Sequence, residues 1–193
     1  MTKLGHICYW HGCEKFWGRA IGVIGALNAA GETFELQSHT DRPSGNFFAL
    51  PIVTFPDGKK MSQTPMILVE IGEKHGLLGK TAEEKMKCKQ YIMDMNDIFG
   101  EAYSGKLTDN AERAGKWFAM VENILSKTKF LACDTPTVAD YHAVFTFEWV
   151  IKKVGSESTT DGKKYPNIVR WWKALNATPA VKKMRDAEQP LVP

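Results

Sequence analysis

Between His6 and Ala20 the chain reads HICYWHGCEKFWGRA, and this short connection holds a phenol (Tyr9), a thiol (Cys13) and a guanidinium (Arg19) beside Trp10 and Trp17. A phenolic hydroxyl can donate a hydrogen bond to an anion, a thiolate is a nucleophile, and arginine carries a permanent positive charge. Two more positions with binding chemistry, Gln63 and Thr64, stand just ahead of the apolar run PMILVEIG. A helix starting there would present unpaired N–H groups and the positive end of its dipole, which suits an anion. The four cysteines, Cys8, Cys13, Cys88 and Cys133, form neither a CxxC pair nor a Cys/His cluster, so no metal site is expected.

Hydrophobic periodicity supplies the elements that must position these groups. Leu4 to Tyr9 is short and apolar, as a buried strand should be, and Gly18 to Ala30 sets Ala20, Val23, Ile24 and Leu27 on one helical face, with Gly31 as the stop. Thr33 to Leu36 reads as a second strand, followed by the polar loop QSHTDRPSGNFF. LPIVTF and KKMS flank the turn PDGK and form an antiparallel pair. The next helix has Thr64 as its cap and Pro65 at its first position, where a missing N–H does no harm, and ends near Gly76. This order describes a small α/β domain with a short mixed sheet.

From Thr81 onward strand signals give way to helical ones. TAEE is a capping box, Thr81 with Glu84, opening a long helix to about Glu101 whose Tyr91, Ile92, Met95 and Ile98 recur at helical spacing. A second helix spans Asp109 to Ser126. TVAD, Thr137 with Asp140, repeats the capping pattern ahead of YHAVFTFEWVI, where His142 reads as a packing histidine with satisfied hydrogen bonds. YPNIVRWWKALNA and TPAVKKM give two more helices, the last with Thr178 and Pro179 as cap and first residue. GLLGK, Gly76 to Lys80, is the expected linker.

With 193 residues, 44% hydrophobic and 24% charged, the composition is that of a globular protein with a sizeable core. A formal charge of +3 is too slight to argue for nucleic acid or an anionic membrane surface. No segment approaches the roughly 20 apolar residues that span a bilayer. Free thiols in a reducing, cytoplasmic setting follow as the expectation.

Three stretches in order, ALPIVTFPDGKKMSQTPMILVEIGEKHG, TPTVADYHAV and YPNIVRWWKALNATPAVKKM, resemble the signatures of the cytosolic glutathione transferases. The likeness covers nearly the whole chain. It implies an α/β plus all-α protein: a thioredoxin-like glutathione-binding domain over residues 1–78, then an all-helical domain over 81–193 that contributes a pocket for small hydrophobic electrophiles. It implies a cis bond at Leu50–Pro51, with the Leu50 backbone taking the cysteinyl part of glutathione, and Gln63 and Thr64 at the γ-glutamyl carboxylate. In tyrosine-type, sigma-like relatives the residue closing the first strand donates to the sulfur, which is Tyr9 here, with Arg19 adding positive charge. In cysteine-type relatives the residue lies near the first helix start, which is Cys13, and the outcome is thiol exchange. Tyr9 is favoured because the strand end is intact. The pattern's glycine-end contacts have only His39 and Arg42 to fill them. An acidic residue of the first long helix reaching a partner subunit's glutathione would be Asp94 or Asp97. Phe99, Tyr103, Trp10 and Phe16 are candidates for the electrophile pocket. Glutathione is the expected co-substrate, no metal is expected, and a homodimer is the expected assembly. A binding or structural module that keeps the fold with weak chemistry is the alternative.

Overall fold

The computed structural model describes residues 5–10, 17–154 and 163–186. Its first half is a four-stranded mixed sheet. β1 (Gly5–Tyr9) pairs in parallel with β2 (Phe34–Ser38) and antiparallel with β3 (Ile52–Thr54), which pairs antiparallel with β4 (Lys60–Ser62), giving the order β2–β1–β3–β4. β2 runs two residues further than its apolar residues suggest, because Gln37 and Ser38 stand opposite Cys8 and Tyr9 in the parallel register. The parallel connection from β1 to β2 is made by a 3-10 turn at Gly18–Ala20 that runs straight into α1 (Ile21–Ala29). Residues Ile21 to Leu27 of α1 are all buried, so this helix is an internal layer with apolar cover all round.

The β3–β4 hairpin turns through Pro56–Gly58, with the Phe55 N–H donating to the Lys59 carbonyl at 2.8 Å. α2 (Thr64–His75) follows directly and ends on Gly76 in the left-handed conformation, φ 68°. The expected linker is packed rather than loose. Leu78 is buried in the core, and the Leu77 carbonyl accepts the Val138 N–H at 2.9 Å, tying the connection to the start of a helix 61 residues on.

The second half is helical: α3 (Ala82–Tyr103), α4 (Ala111–Leu125), α5 (Val138–Val154), α6 (Pro166–Asn176) and α7 (Pro179–Arg185). The Thr81–Glu84 capping box forms as the sequence predicts, each side chain bonded to the other residue's backbone N–H. The Thr137–Asp140 pair forms differently. Asp140 Oδ2 accepts from both the Thr137 N–H (2.8 Å) and its hydroxyl (2.7 Å), while Oδ1 accepts from the Leu131 N–H (2.9 Å) and Trp171 Nε1 (2.8 Å). The shorter Asp side chain thereby becomes a fully buried junction between α5, α6 and the preceding loop. Burial raises its carboxyl pKa, and the four donated bonds work against that rise.

α5 is the central column of the molecule. It lies against α3 on one side and against α1 of the sheet half on the other. At the α1 crossing Gly22 meets His142 so closely that a Cβ on Gly22 would sit 2.5 Å from His142 Nδ1 and 2.9 Å from its Cα. His142 is buried, but neither ring nitrogen has a hydrogen-bond partner, against the expectation of a satisfied packing histidine. Burial, with the nearby Arg19 charge in second place, lowers its pKa to about 4, so the imidazole is neutral near pH 7. Ile92, Met95 and Ile98 of α3 are spent inside this bundle.

Candidate functional site

The end of β1, the 3-10 turn and the start of α2 converge on Arg19. Its backbone N–H donates to the Tyr9 hydroxyl at 2.9 Å, and its carbonyl accepts the Thr64 hydroxyl at 3.0 Å. One peptide-linked residue therefore joins the strand-end phenol to the helix start. The Arg19 side chain turns toward the helical half, donating from Nη1 to Asn96 Oδ1 at 2.8 Å and lying 4.9 Å over the centre of the Phe99 ring. A Cβ at Gly100, one position further, would meet Arg19 Nη2 at 3.8 Å, an ordinary contact.

Tyr9 is 7% exposed, and accepting an N–H on its oxygen polarises its O–H as a donor. Thr64 is buried and is not the helix cap. Gln63 holds the cap position, with no side-chain capping bond, Thr64 is the first helical residue and Pro65 the second. The Thr64 hydroxyl is instead committed to Arg19, a long-range bond that outranks a local cap. Gln63 has φ 71° and ψ 105°, the one positive-φ residue other than glycine among the described residues, and it is exposed. A backbone in that region costs about 1–3 kcal/mol, and such strain concentrates at functional sites.

The bond between Leu50 and Pro51 is cis, as the resemblance implies, and it leads into β3 with Pro51 buried and Leu50 half-buried. Cys13 and Phe16 lie outside the described residues. Asp94 is half-buried on α3, two residues before Asn96 and so about 160° away around the helix, on a different face from the one that meets Arg19. Burial raises the Asp94 carboxyl pKa, with a Gln90 hydrogen bond opposing and Asp97 adding to the rise. Arg42 donates to the Phe47 carbonyl within its own exposed loop, and His39 stacks on Trp10 with ring centres 4.1 Å apart. Phe99 and Tyr103 stack at 6.5 Å, Phe99 buried and Tyr103 exposed at the end of α3. The Asn96 contact with Arg19 is the one that sequence reasoning missed. Its spacing with Phe99 and Gly100, i, i+3 and i+4 on one helical face, is the signal that could have found it.

The family model described as "Glutathione S-transferase, C-terminal domain" matches residues 80–179, more than half of the chain. The chain belongs to the glutathione S-transferase family. Among curated relatives it is 29% identical over 134 residues to the "Putative glutathione S-transferase alpha-5" of Dictyostelium discoideum, a match covering 64% of this chain and 66% of that protein. It is also 26% identical over 178 residues to the "Putative glutathione S-transferase alpha-2" of the same organism, covering 87% and 89%. Its fold is similar to the crystal structure of a nematode-specific GST of C. elegans, with TM-score 0.79, 20% identity, and 98% and 99% of the two chains covered. The glutathione S-transferase architecture, a thioredoxin-like sheet half followed by a helical half, is thus that of this chain. No described helix is long and apolar enough to cross a membrane.

Proposed function

We propose that the chain is a glutathione transferase in which Tyr9 stabilises the glutathione thiolate for attack on small hydrophobic electrophiles. The observation that carries the reading is the Arg19 bridge, because it holds the Tyr9 hydroxyl and the start of α2 in one fixed relation. Glutathione supplies the thiol, whose deprotonated form is the nucleophile. Tyr9 donates to the sulfur and favours thiolate over thiol, and the Arg19 charge acts in the same direction. The γ-glutamyl carboxylate goes to the free N–H groups at Gln63 and Thr64, where the α2 dipole favours negative charge. The strained Gln63 backbone supports that placement. The Leu50 backbone ahead of β3 pairs with the cysteinyl unit as an added strand. Tyr103 and Phe99 border the electrophile side.

The same reading includes a homodimer in a reducing, cytoplasmic setting. Phe48 is 94% exposed on the loop before β3, and α2 and α3, packed side by side, carry exposed Met66, Met86 and Met93. Apolar surface of that kind supports a partner subunit, to whose glutathione Asp94 would reach. Cys8, Cys88 and Cys133 are free thiols, consistent with the compartment.

Glutathione binding by calorimetry and turnover with aryl halide, peroxide and disulfide substrates test the proposal together. Tyr9→Phe is expected to lower conjugation by ten-fold or more while binding persists, and Gln63→Ala with Thr64→Ala to weaken binding. Cys13→Ser is expected to leave conjugation unchanged. Thiol exchange that disappears in Cys13→Ser would move the chemistry to Cys13, and glutathione binding without turnover of any substrate would favour the binding module.

A further inference from the structure

The Arg19 guanidinium is held in an unusual way for a cation beside a functional site. Among the described residues its side chain meets a neutral amide, Asn96 Oδ1 at 2.8 Å, and an aromatic face, Phe99 at 4.9 Å. Arginine more often pairs with a carboxylate, whose bidentate bond would fix the fork more strongly but cancel most of its field. An amide acceptor fixes the direction of the guanidinium and leaves its charge uncompensated, and a ring face does the same by attraction to its quadrupole. Two positions on one face of α3, Asn96 and Phe99, thus hold the guanidinium.

We propose that Asn96 is a positioning residue of the active site, holding the Arg19 side chain so that its unneutralised charge lowers the pKa of the bound glutathione thiol. This rests on the transferase reading above. Among the described residues, the groups around Arg19 are few. Tyr9 from β1 and Thr64 from α2 meet its backbone, and His142 from α5 is uncharged near neutral pH. Asp94 and Asp97 flank Asn96 on α3 and are the same in every variant below. Among the described residues, the side chain at position 96 is therefore the group whose charge decides how much of the arginine's field survives.

The readout is the pKa of enzyme-bound glutathione, followed by ultraviolet thiolate absorbance against pH, with calorimetric binding measured alongside. Asn96→Asp preserves size and shape but adds a compensating charge, so the bound-thiol pKa should rise by about one unit, a ten-fold lower thiolate fraction at a fixed pH below it. Asn96→Ala should raise it by releasing the guanidinium, and this rise should vanish in an Arg19→Leu background, since Asn96 acts only through Arg19. A general structural role would change both backgrounds equally. If the parent protein binds no glutathione, or does not lower its thiol pKa, the transferase reading falls and this inference with it. If the parent lowers the pKa but Asn96→Asp leaves it in place, or Asn96→Ala acts equally with and without Arg19, only the inference falls.

Discussion

Replacing His142 by Leu tests the electrostatic consequence of the α1–α5 crossing. His142 is buried against Gly22 with no partner for either nitrogen, and its pKa falls from an ordinary 6.5 to about 4. A base with a depressed folded pKa leaves stability untouched above its unfolded value and removes stability as the pH falls toward the folded one, because the unfolded chain takes the proton first. At ~pH 7.5 the two states bind no proton here and the contribution is nil. At ~pH 5 the unfolded imidazole is almost wholly charged and the folded one is not, a difference of about 2 kcal/mol against folding that approaches a limit of about 3 kcal/mol at lower pH. The assay is urea unfolding of parent and His142→Leu at both pH values, where every other titrating group cancels in the difference. At ~pH 7.5 the variant should lie within about 1.5 kcal/mol of the parent, as a swap of similar volume does. By ~pH 5 the balance should move about 2 kcal/mol in the variant's favour. A difference that stays constant between the two pH values would refute the reasoning and require a hidden partner for the imidazole.

Gly22→Ala should destabilise by about 1–3 kcal/mol, since the added methyl meets the His142 backbone as well as its ring; thermal unfolding measures it, and a neutral result would show that α1 and α5 can slide apart. Asp140→Ala strips four donors of their acceptor in a buried site and should cost about 3–5 kcal/mol in urea unfolding, with altered Trp171 fluorescence; a loss under 1 kcal/mol would mean that water replaces the carboxylate. Phe48→Ser should shift the particle seen by light scattering toward the 21.7 kDa of one chain, and a parent already of that mass at all working concentrations would remove the dimer.

Much of the scaffold was legible because it is written locally. The hairpin at PDGK, the Thr81–Glu84 box and the Thr178 cap are each decided by residues within four positions of one another, and all three formed as read. Thr64 departs from its expected capping role for the opposite reason: nothing near it in sequence reveals that Arg19, 45 residues away, competes for its hydroxyl. His142 and Asp140 show the same limit, since one is left without partners and the other supplied with four by elements that sequence distance hides. The site followed that division. Gln63 and Thr64 could be nominated as candidates from a helix start, and Tyr9 through the family resemblance, whereas the Asn96 contact with Arg19 became visible only once α3 lay beside the turn that carries Arg19.

The Gly22–His142 crossing also bears on how such a chain can be recombined. α1 belongs to the sheet half by sequence and α5 to the helical half, yet neither presents a finished surface where they touch: one offers a notch with no side chain, the other the residue that fills it. A chimera that grafts this first half onto another member's helical half would inherit the notch without the imidazole cut to fit it, or a clash where a larger residue stands. Shuffled libraries built by breaking the chain near Leu77 should therefore yield folded protein mainly when the two parents carry the same residues at positions 22 and 142, so that the two halves behave as one heritable unit despite their different architectures.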